Sequence, residues 1–314
     1  MTLFLSEQDV RSLLDMKEVV AAVEECFEQE SSGRAFNSPR TRSVAEGSVL
    51  NVMHASLQYL GRAGAKCYLS SEKGTKFLFI LFQLRDAEPL AVMAADMLGR
   101  FRTGAASAVA TKHLHRSKDF NFAVCGAGRQ ALTQVLAMAE VASLSSVRVW
   151  GPHTERRVLL AEQLRKLGFS AAAYGSLSDA LRGAEVVTTI TTSKDPFLTG
   201  ELVDQVGHLN LCGSNSSSRS EASPDCIGKF QTVAVDDLAQ SKLESGDLVG
   251  AEKKGFFSWE KAVELKDIVG GKVQPAGRTL FKSNGVAIED VAAASLVYDK
   301  AMKRGGFSEG SYEV

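Results

Sequence analysis

Residues 122–141, FAVCGAGRQALTQVLAMAEV, combine a short apolar run, a glycine turn and a helix-like pattern. Gly126 and Gly128 permit a tight bend and a close approach of the backbone to a ligand, and the helix that follows offers unpaired N–H groups. Ala131 takes the place of the third glycine of a dinucleotide fingerprint, which helix-to-strand packing tolerates. The turn therefore predicts a dinucleotide pyrophosphate site at Gly126, Ala127, Gly128, Arg129 and Gln130.

The end of the next predicted strand bears on which dinucleotide binds. NAD-binding chains usually place a carboxylate there for the ribose hydroxyls, but here the run VRVW is followed by GPHTERR, residues 151–157. His153, Arg156 or Arg157 could instead meet a 2′-phosphate, which favours NADP(H), with NAD(H) possible. The arginines could equally lie on a solvated helix face.

Lys66 lies within an otherwise apolar run, AGAKCYL. A buried ammonium without a partner is costly, and desolvation lowers its pKa, so Lys66 is a candidate acid or base. On an edge strand the same side chain would simply point into solvent. The local sequence leaves both alternatives open.

The elements that position these residues follow two patterns. Residues 1–35 predict helices with Ser6 as an N-cap, and consecutive β-type runs between residues 40 and 92 predict an antiparallel sheet or open barrel. A helix rich in small residues, LGRFRTGAASAVATKHLH, comes next. From residue 121 onward strands and helices alternate, as in βαβ units on a parallel sheet. The predicted strands are 122–125, 147–150, 171–174, 185–191, 208–212 and 232–235, and the predicted helices are 130–142, 155–167 and 177–181.

Composition narrows the class of protein. A chain of 314 residues with 45% hydrophobic residues predicts two domains, and a net charge of −1 predicts a small-molecule partner, with no nucleic acid and no membrane. Five scattered cysteines without a Cys-x-x-Cys pair argue against a disulfide framework or a metal site. No apolar run approaches the roughly 18 residues of a membrane helix. We therefore expect a cytoplasmic protein.

Several segments resemble the ornithine cyclodeaminase and mu-crystallin family over nearly the whole chain and in the same order. They are NVMHASLQYLGRAGAKCYLSS, ADMLGRFRTGAASAVATKHL, AVCGAGRQA, the Ser/Asn-rich loop after HLNLCG, VDDLAQSKLESGDL and LFKSNGVAIEDVAAASLVYDKA. The resemblance implies an α/β chain with a Rossmann-type parallel sheet domain at residues 118–287. A smaller α+β domain, with an antiparallel or mixed sheet used for dimerisation, is implied at residues 1–117 plus 288–314. Members of the family act as homodimers on small α-amino or α-imino acids with NAD(H) or NADP(H).

The resemblance also implies roles for single residues. Arg40, Lys66 and Arg102 match the substrate-binding cations of the family, and a guanidinium can bind a carboxylate bidentately. Arg42 is a neighbour that could be confused with Arg40. Met53 could line the substrate pocket, although such a residue is more often plain core. The resemblance places Thr75 and Thr103 near the cofactor, and Thr191 at a strand end is a further candidate, although each threonine could instead be an ordinary strand residue or helix cap. The predicted cofactor pocket also includes Gly151, His153, Arg156 and Gly213.

The loop LCGSNSSSR departs from the family pattern. True cyclodeaminases and the archaeal alanine dehydrogenases have a proton-transferring aspartate two residues after this glycine, where this chain has Asn215. An amide cannot exchange a proton at neutral pH. Cyclodeamination is thus disfavoured, whereas reduction of an already protonated imine is compatible, with Lys66 orienting the carboxylate or supplying a proton. A one-residue slip in the loop would weaken this assignment, and Asp225 is the nearest aspartate downstream.

The leading interpretation is an NAD(P)H-dependent reductase that converts Δ1-pyrroline-2-carboxylate or Δ1-piperideine-2-carboxylate to the L-amino acid, with Lys66 and Asn215 as catalytic candidates. Alternatives within the family are an alanine or N-alkyl-amino-acid dehydrogenase, an ornithine cyclodeaminase and a hydroxyproline dehydratase. A non-catalytic NADP-binding protein of the mu-crystallin type is a further alternative. A carboxylate delivered by the serine-rich loop would favour the other reactions.

Overall fold

The computed structural model describes residues 1–311. The chain forms two compact units, one made of Met1–Arg102 with the chain from Val286 onward and the other of Thr103–Gly285. The domain limits predicted from the sequence, 1–117 plus 288–314 and 118–287, stay a prediction. No helix among the described residues is long and apolar enough to cross a membrane.

The strands are β1 (Thr2–Leu5), β2 (Ala35–Ala45), β3 (Ser48–Leu57), β4 (Arg62–Ser71), β5 (Gly74–Gln83), β6 (Pro89–Ala94), β7 (Asp119–Cys125), β8 (Ser143–Trp150), β9 (Ala171–Ala173), β10 (Val186–Thr189), β11 (His208–Leu211), β12 (Thr232–Val235), β13 (Ala262–Glu264), β14 (Thr279–Lys282) and β15 (Ser308–Gly310). The α-helices are α1 (Glu7–Leu13), α2 (Met16–Ser31), α3 (Asp96–Leu114), α4 (Ala131–Val141), α5 (Thr154–Lys166), α6 (Leu177–Leu181), α7 (Pro224–Ile227), α8 (Leu238–Glu244), α9 (Gly246–Lys253), α10 (Leu265–Val269) and α11 (Ala287–Arg304). Single 3₁₀ turns cover Gln58–Leu60 and Trp259–Lys261.

The first unit contains a seven-stranded mixed sheet in the order β15-β1-β6-β5-β4-β3-β2. The four hairpin-linked pairs from β2 to β6 are antiparallel, as the run of strands without helices predicts, while β1 lies parallel to β6. Ser6 caps α1 in a capping box with Asp9, which confirms the predicted N-cap. Helix α11 packs on β3, β4 and α2, so one face of this sheet is covered by helices.

The second unit contains an eight-stranded sheet in the order β13-β12-β14-β11-β10-β7-β8-β9, and all its pairs are parallel. Strands such as β10, β11 and β12 are buried at every residue, which is typical of a parallel sheet with helices on both faces. The α/β fold class predicted from the sequence is therefore confirmed. The prediction missed β13 and β14 and helices α7 to α10, because these elements have three to eight residues and show no clear period.

Candidate active site

Lys66 lies in β4, an inner strand of the first unit's sheet. Its cross-strand partners are Met53 in β3 and Phe79 in β5, and Phe79 in turn pairs with Met93 in β6. Residues that pair directly share one face of a sheet, and all four side chains are buried, with Lys66 only 3% exposed. The alternative of an outward-pointing edge lysine is therefore wrong.

Arg40 reaches the same face through a β-bulge in β2. Ser38 pairs with His54 and Thr41 pairs with Val52, so Pro39 and Arg40 together oppose the single residue Met53. If regular pairing continued from Ser38 without the bulge, Arg40 would pair with Val52 and lie on the opposite face. Arg40 is buried, whereas Arg42, which lies on the same face opposite Asn51 and nearer the β2–β3 turn, is exposed.

Two carboxylates of α11, which the sequence analysis did not single out, complete this cluster. Lys66 Nζ lies 3.0 Å from Asp290 Oδ1, which also accepts a hydrogen bond of 3.1 Å from Arg102 Nε. Arg102 Nη1 donates to Glu289 Oε2 over 2.8 Å. The signal for this pair is the segment GVAIEDVAAASLV, since two acids in an apolar helix need buried partners.

The buried charges of the first unit do not balance. Among its described residues the buried ionisable carboxylates and cations are Arg40, Lys66, Arg102, Glu289 and Asp290. Three cations against two carboxylates leave one excess positive charge (3 − 2 = 1). Because its buried cations outnumber its buried carboxylates, this cluster is suited to receive one anionic group.

The surroundings of Lys66 bring its pKa close to neutrality. Burial lowers the pKa of Lys66 to about 8, although Asp290 acts in the opposite direction, and the nearby charges of Arg102 and Arg40 lower it further. Burial alone would raise the pKa of Asp290, but Arg102 and Lys66 hold it below its usual value. At neutral pH the cluster therefore contains an ionised Asp290 and a lysine ammonium that can release its proton readily.

The second unit has a cavity of about 340 Å³ at the carboxyl ends of β7, β8, β10 and β11. The cavity brings together ten of the twelve residues predicted to bind the cofactor. They are Gly126, Ala127, Gly128, Arg129, Gln130, Gly151, His153, Arg156, Thr191 and Gly213.

The glycine turn fits a dinucleotide phosphate. Gly126 has φ +123°, and a Cβ there would lie 2.5 Å from the carbonyl oxygen of Ile190. A Cβ on Gly128 would meet nothing within 4 Å, so a ligand can approach the backbone at this point. Gln130 Oε1 is buried without a hydrogen-bond partner among the described residues, and α4 begins immediately after it. The turn thus offers helix N–H groups and an open backbone surface to an anion.

Two arginines line the cavity. Its described lining includes Arg129, His153 and Arg156 and contains no Asp or Glu. Arg157 points elsewhere, since its Nη1 donates to the Gly151 carbonyl over 3.0 Å. The geometry therefore separates Arg156, which faces the cavity, from Arg157, which supports the turn.

The cavity wall at Thr191 and Gly213 is held by Glu221, another residue that the sequence analysis did not single out. Its fully buried carboxylate accepts hydrogen bonds from the backbone N–H groups of Thr191 and Gly213, each over 2.8 Å. It also accepts from the hydroxyls of Thr189 and Thr191, each over 2.7 Å. A Cβ on Gly213 would lie 2.3 Å from Glu221 Oε1, so only glycine fits there.

The other predicted residues lie outside both the buried cluster around Lys66 and the cavity lining of the second unit. Thr75 bonds to the Ser70 hydroxyl over 3.0 Å at the end of the β4–β5 hairpin, and Thr103 is buried in α3. The described cavity lining includes neither threonine. Asn215 is exposed in the serine-rich loop, and Asp225 accepts from Gly200 N over 2.7 Å at the start of α7. The roles assigned to Thr75, Thr103 and Asn215 stay predictions.

Comparisons with known proteins agree over almost the whole chain. A model of the ornithine cyclodeaminase/mu-crystallin family matches residues 1–305. The alanine dehydrogenase of Archaeoglobus fulgidus is 32% identical over 318 residues, which cover 96% of both chains. The structure of Thermococcus litoralis Δ1-pyrroline-2-carboxylate reductase with NADH and L-proline superimposes with a TM-score of 0.92 at 30% identity, covering 98% of this chain and 100% of the other. An archaeal alanine dehydrogenase dimer with bound NAD gives the same TM-score at 30% identity and 99% coverage of both chains.

Proposed function

This chain belongs to the ornithine cyclodeaminase/mu-crystallin family, and from that membership we propose that it is an NAD(P)H-dependent reductase of small cyclic imino acids. The substrates are Δ1-pyrroline-2-carboxylate and Δ1-piperideine-2-carboxylate, and the products are the L-amino acids. The observation that carries the proposal is the buried cluster around Lys66, which combines one excess positive charge with a proton donor. A cyclic imino acid has a single carboxylate beside a C=N bond and requires both features.

In the first unit, two arginines would bind the substrate carboxylate and Lys66 would provide the proton. Arg102 uses Nε and Nη1 for Asp290 and Glu289, so its Nη2 is available to a substrate carboxylate, and Arg40 adds a second guanidinium. Lys66, held by Asp290, stabilises the carboxylate and holds the proton for the ring nitrogen. These contacts fix the pose of the imine and its protonation.

The glycine turn and the Thr191–Gly213 wall of the second unit would hold the dinucleotide. When bound, a reduced nicotinamide supplies a hydride to the imine carbon. The hydride and the proton together convert C=N into CH–NH. Asn215 cannot remove a proton, which suits a reaction that needs no carboxylate base at that position.

The test is nicotinamide absorbance with purified protein and each cyclic imine, with NADPH and then NADH. Ornithine with NAD and pyruvate with ammonia or methylamine are the comparison reactions. Turnover of the imines well above the comparison reactions is the expected result. Ornithine conversion without imine turnover would overturn the proposal and the assignment of Asn215.

An alanine dehydrogenase is the second candidate function, because the Archaeoglobus relative is 32% identical over nearly the whole chain. Pyruvate and an imino acid both present a carboxylate next to an electrophilic carbon, so the same cluster can bind either. Comparing kcat/KM for pyruvate plus ammonia with kcat/KM for the cyclic imines separates the two functions. A higher value for pyruvate would favour the dehydrogenase.

The pH dependence of reduction should report the pKa of Lys66. We expect kcat/KM for the imine to fall as pH rises through about 8, because the ammonium that donates the proton is lost. A stability effect of opposite sign accompanies it. Between about pH 8 and the unfolded value near 10.5 the unfolded chain binds more protons, so this group makes the free energy of unfolding rise with pH. Steady-state kinetics from pH 6 to 10 measures the fall in kcat/KM. The same fall near pH 8 in Lys66→Met would contradict the assignment of the proton donor to Lys66.

For the cofactor we propose a preference for NADP(H), because Arg129, His153 and Arg156 line the cavity without an acidic neighbour. We expect Arg156→Ala to weaken NADPH binding about tenfold or more, since a hydrogen bond to a charged group contributes about 1.5–3 kcal/mol, and to leave NADH binding nearly unchanged. Fluorescence titration with both cofactors measures this. Lys166→Ala, an exposed cation of the same helix, is the control. An equal loss of affinity for NADPH and NADH in Arg156→Ala would contradict a contact between Arg156 and the 2′-phosphate.

We also propose that the enzyme is a cytoplasmic homodimer. The sheet face opposite Lys66 exposes Leu50, Leu69 and Leu78 by 41–48%, and a second copy of the chain would cover these side chains. The archaeal alanine dehydrogenase with a similar fold is a dimer. Light scattering on the purified protein and on a Leu69→Asp variant tests the assembly, and cell fractionation tests the location.

A further inference from the structure

We infer that Glu221 is a positioning residue of the dinucleotide cavity, whose carboxylate fixes the two strand ends that form the wall at Thr191 and Gly213. This inference rests on the proposed function, because it assigns the cavity to a nicotinamide dinucleotide. It concerns a residue that does not itself line the cavity.

The Glu221 carboxylate contacts the ends of two neighbouring strands. Strands β10 and β11 are parallel neighbours, and the segments after them carry Thr191 and Gly213. Glu221 Oε1 accepts from the N–H and hydroxyl of Thr191, and Oε2 accepts from Gly213 N–H and the Thr189 hydroxyl. One side chain thus bridges both strand ends with four hydrogen bonds, and a charged acceptor strengthens each of them.

Glu221 is itself held by hydrogen bonds at its own backbone. Asp247 Oδ1 accepts from Glu221 N over 2.7 Å and from Ala222 N over 3.0 Å, while the Glu221 carbonyl accepts from the N–H groups of Phe197 and Leu198. A side chain fixed at its own backbone can set the position of the groups that it binds.

A buried ion pair holds the start of the serine-rich loop, at Ser214. Lys282 Nζ lies 3.0 Å from Asp247 Oδ2 and donates to the Ser214 carbonyl over 2.7 Å. Both side chains of the pair are fully buried. The loop from residue 213 to residue 222 is therefore anchored at its start by Lys282 and at its end by Asp247, next to the glycine that lines the cavity.

The bridge also determines what Thr191 can offer a ligand. Its single hydroxyl proton is donated to Glu221, and its oxygen accepts from Ser193 N over 3.2 Å. The hydroxyl cannot donate to a cofactor at the same time. Thr191 therefore lines the cavity without donating its hydroxyl proton to the ligand, and Glu221 fixes its position in the wall.

Glu221→Gln tests the inference with almost no change in volume. The amide has one acceptor oxygen, so in either orientation its NH₂ group faces the backbone N–H of Thr191 or of Gly213, which cannot rotate away. We expect the Kd of NADPH, measured by fluorescence titration without substrate, to rise at least tenfold. The KM for the imine, extrapolated to saturating cofactor, should change less than threefold. A loss of folding stability alone would not produce this split.

Glu244→Gln is the matched control, since Glu244 is also a buried glutamate of the second unit and does not line the cavity. We expect it to leave the Kd of NADPH within twofold of the wild-type value. If Glu221→Gln fails to fold, Thr189→Val removes one of the four hydrogen bonds to the carboxylate without touching the cavity, and we expect its Kd to rise at least threefold.

A folded Glu221→Gln protein with an unchanged Kd would overturn the inference and leave the proposed function intact. An unchanged Kd in Thr189→Val, where the glutamine variant does not fold, would do the same. A wild-type chain that binds neither NADPH nor NADH would overturn both.

Discussion

Replacing Lys66 by methionine should lower kcat/KM for imine reduction by about 10²–10⁴, the range that a positioned general acid contributes. Methionine has a similar length and no charge, so it fills the space between Met53 and Phe79 without offering a proton. Asp290 keeps its hydrogen bond from Arg102, so the fold should survive the change. Steady-state kinetics at saturating NADPH measures the effect.

Two controls make the Lys66 result specific. Lys303→Met removes an exposed lysine of α11 and should leave kcat/KM unchanged. The Lys66→Met protein itself should bind NADPH with wild-type affinity, because Lys66 does not line the cavity of the second unit. Full activity in Lys66→Met would show that the substrate or solvent provides the proton.

Replacing Arg102 by methionine should reduce the free energy of unfolding by about 3–5 kcal/mol, the usual effect of removing one partner of a buried ion pair. Glu289 and Asp290 lose the guanidinium that binds both of them, and both carboxylates are fully buried. The cluster also loses its excess positive charge, so the KM for the imine should rise by at least tenfold. Urea denaturation and steady-state kinetics measure the two effects.

Arg62→Met is the matched control for this prediction. Arg62 also binds a carboxylate of α11, Asp299, but that carboxylate side chain is 46% exposed. An ion pair open to solvent contributes under about 1 kcal/mol. An equal loss of stability in the two variants would contradict the importance of burial, and an unchanged KM in Arg102→Met would exclude it from substrate binding.

The parts of this molecule that could be predicted from sequence have local causes. The glycine turn lies between a strand and a helix within one βαβ unit, so its position and its phosphate chemistry follow from residues 122–141 alone. The pocket lining at Gly151 and His153 follows from the end of the next strand. Ten of the predicted cofactor residues consequently lie around one cavity.

The site features that could not be predicted from sequence depend on long-range contacts. Lys66 is separated from Asp290 by 224 positions, and Glu221 is 30 positions from Thr191. Whether a strand lysine points inward depends on pairing register, which only the partner strands decide. An acid in an apolar helix signals that a buried partner exists but does not identify it.

The charge of the substrate cluster depends on the pairing register at the bulge of Pro39 and Arg40. Closing the bulge by sliding the segment after Ser38 one residue along β3 would pair Arg40 with Val52 and move the guanidinium to the other face of the sheet. The cluster would become electrically neutral although no charged residue had been replaced. A shift of strand register can therefore change the charge of the cluster, and comparisons that count only substitutions would overlook it.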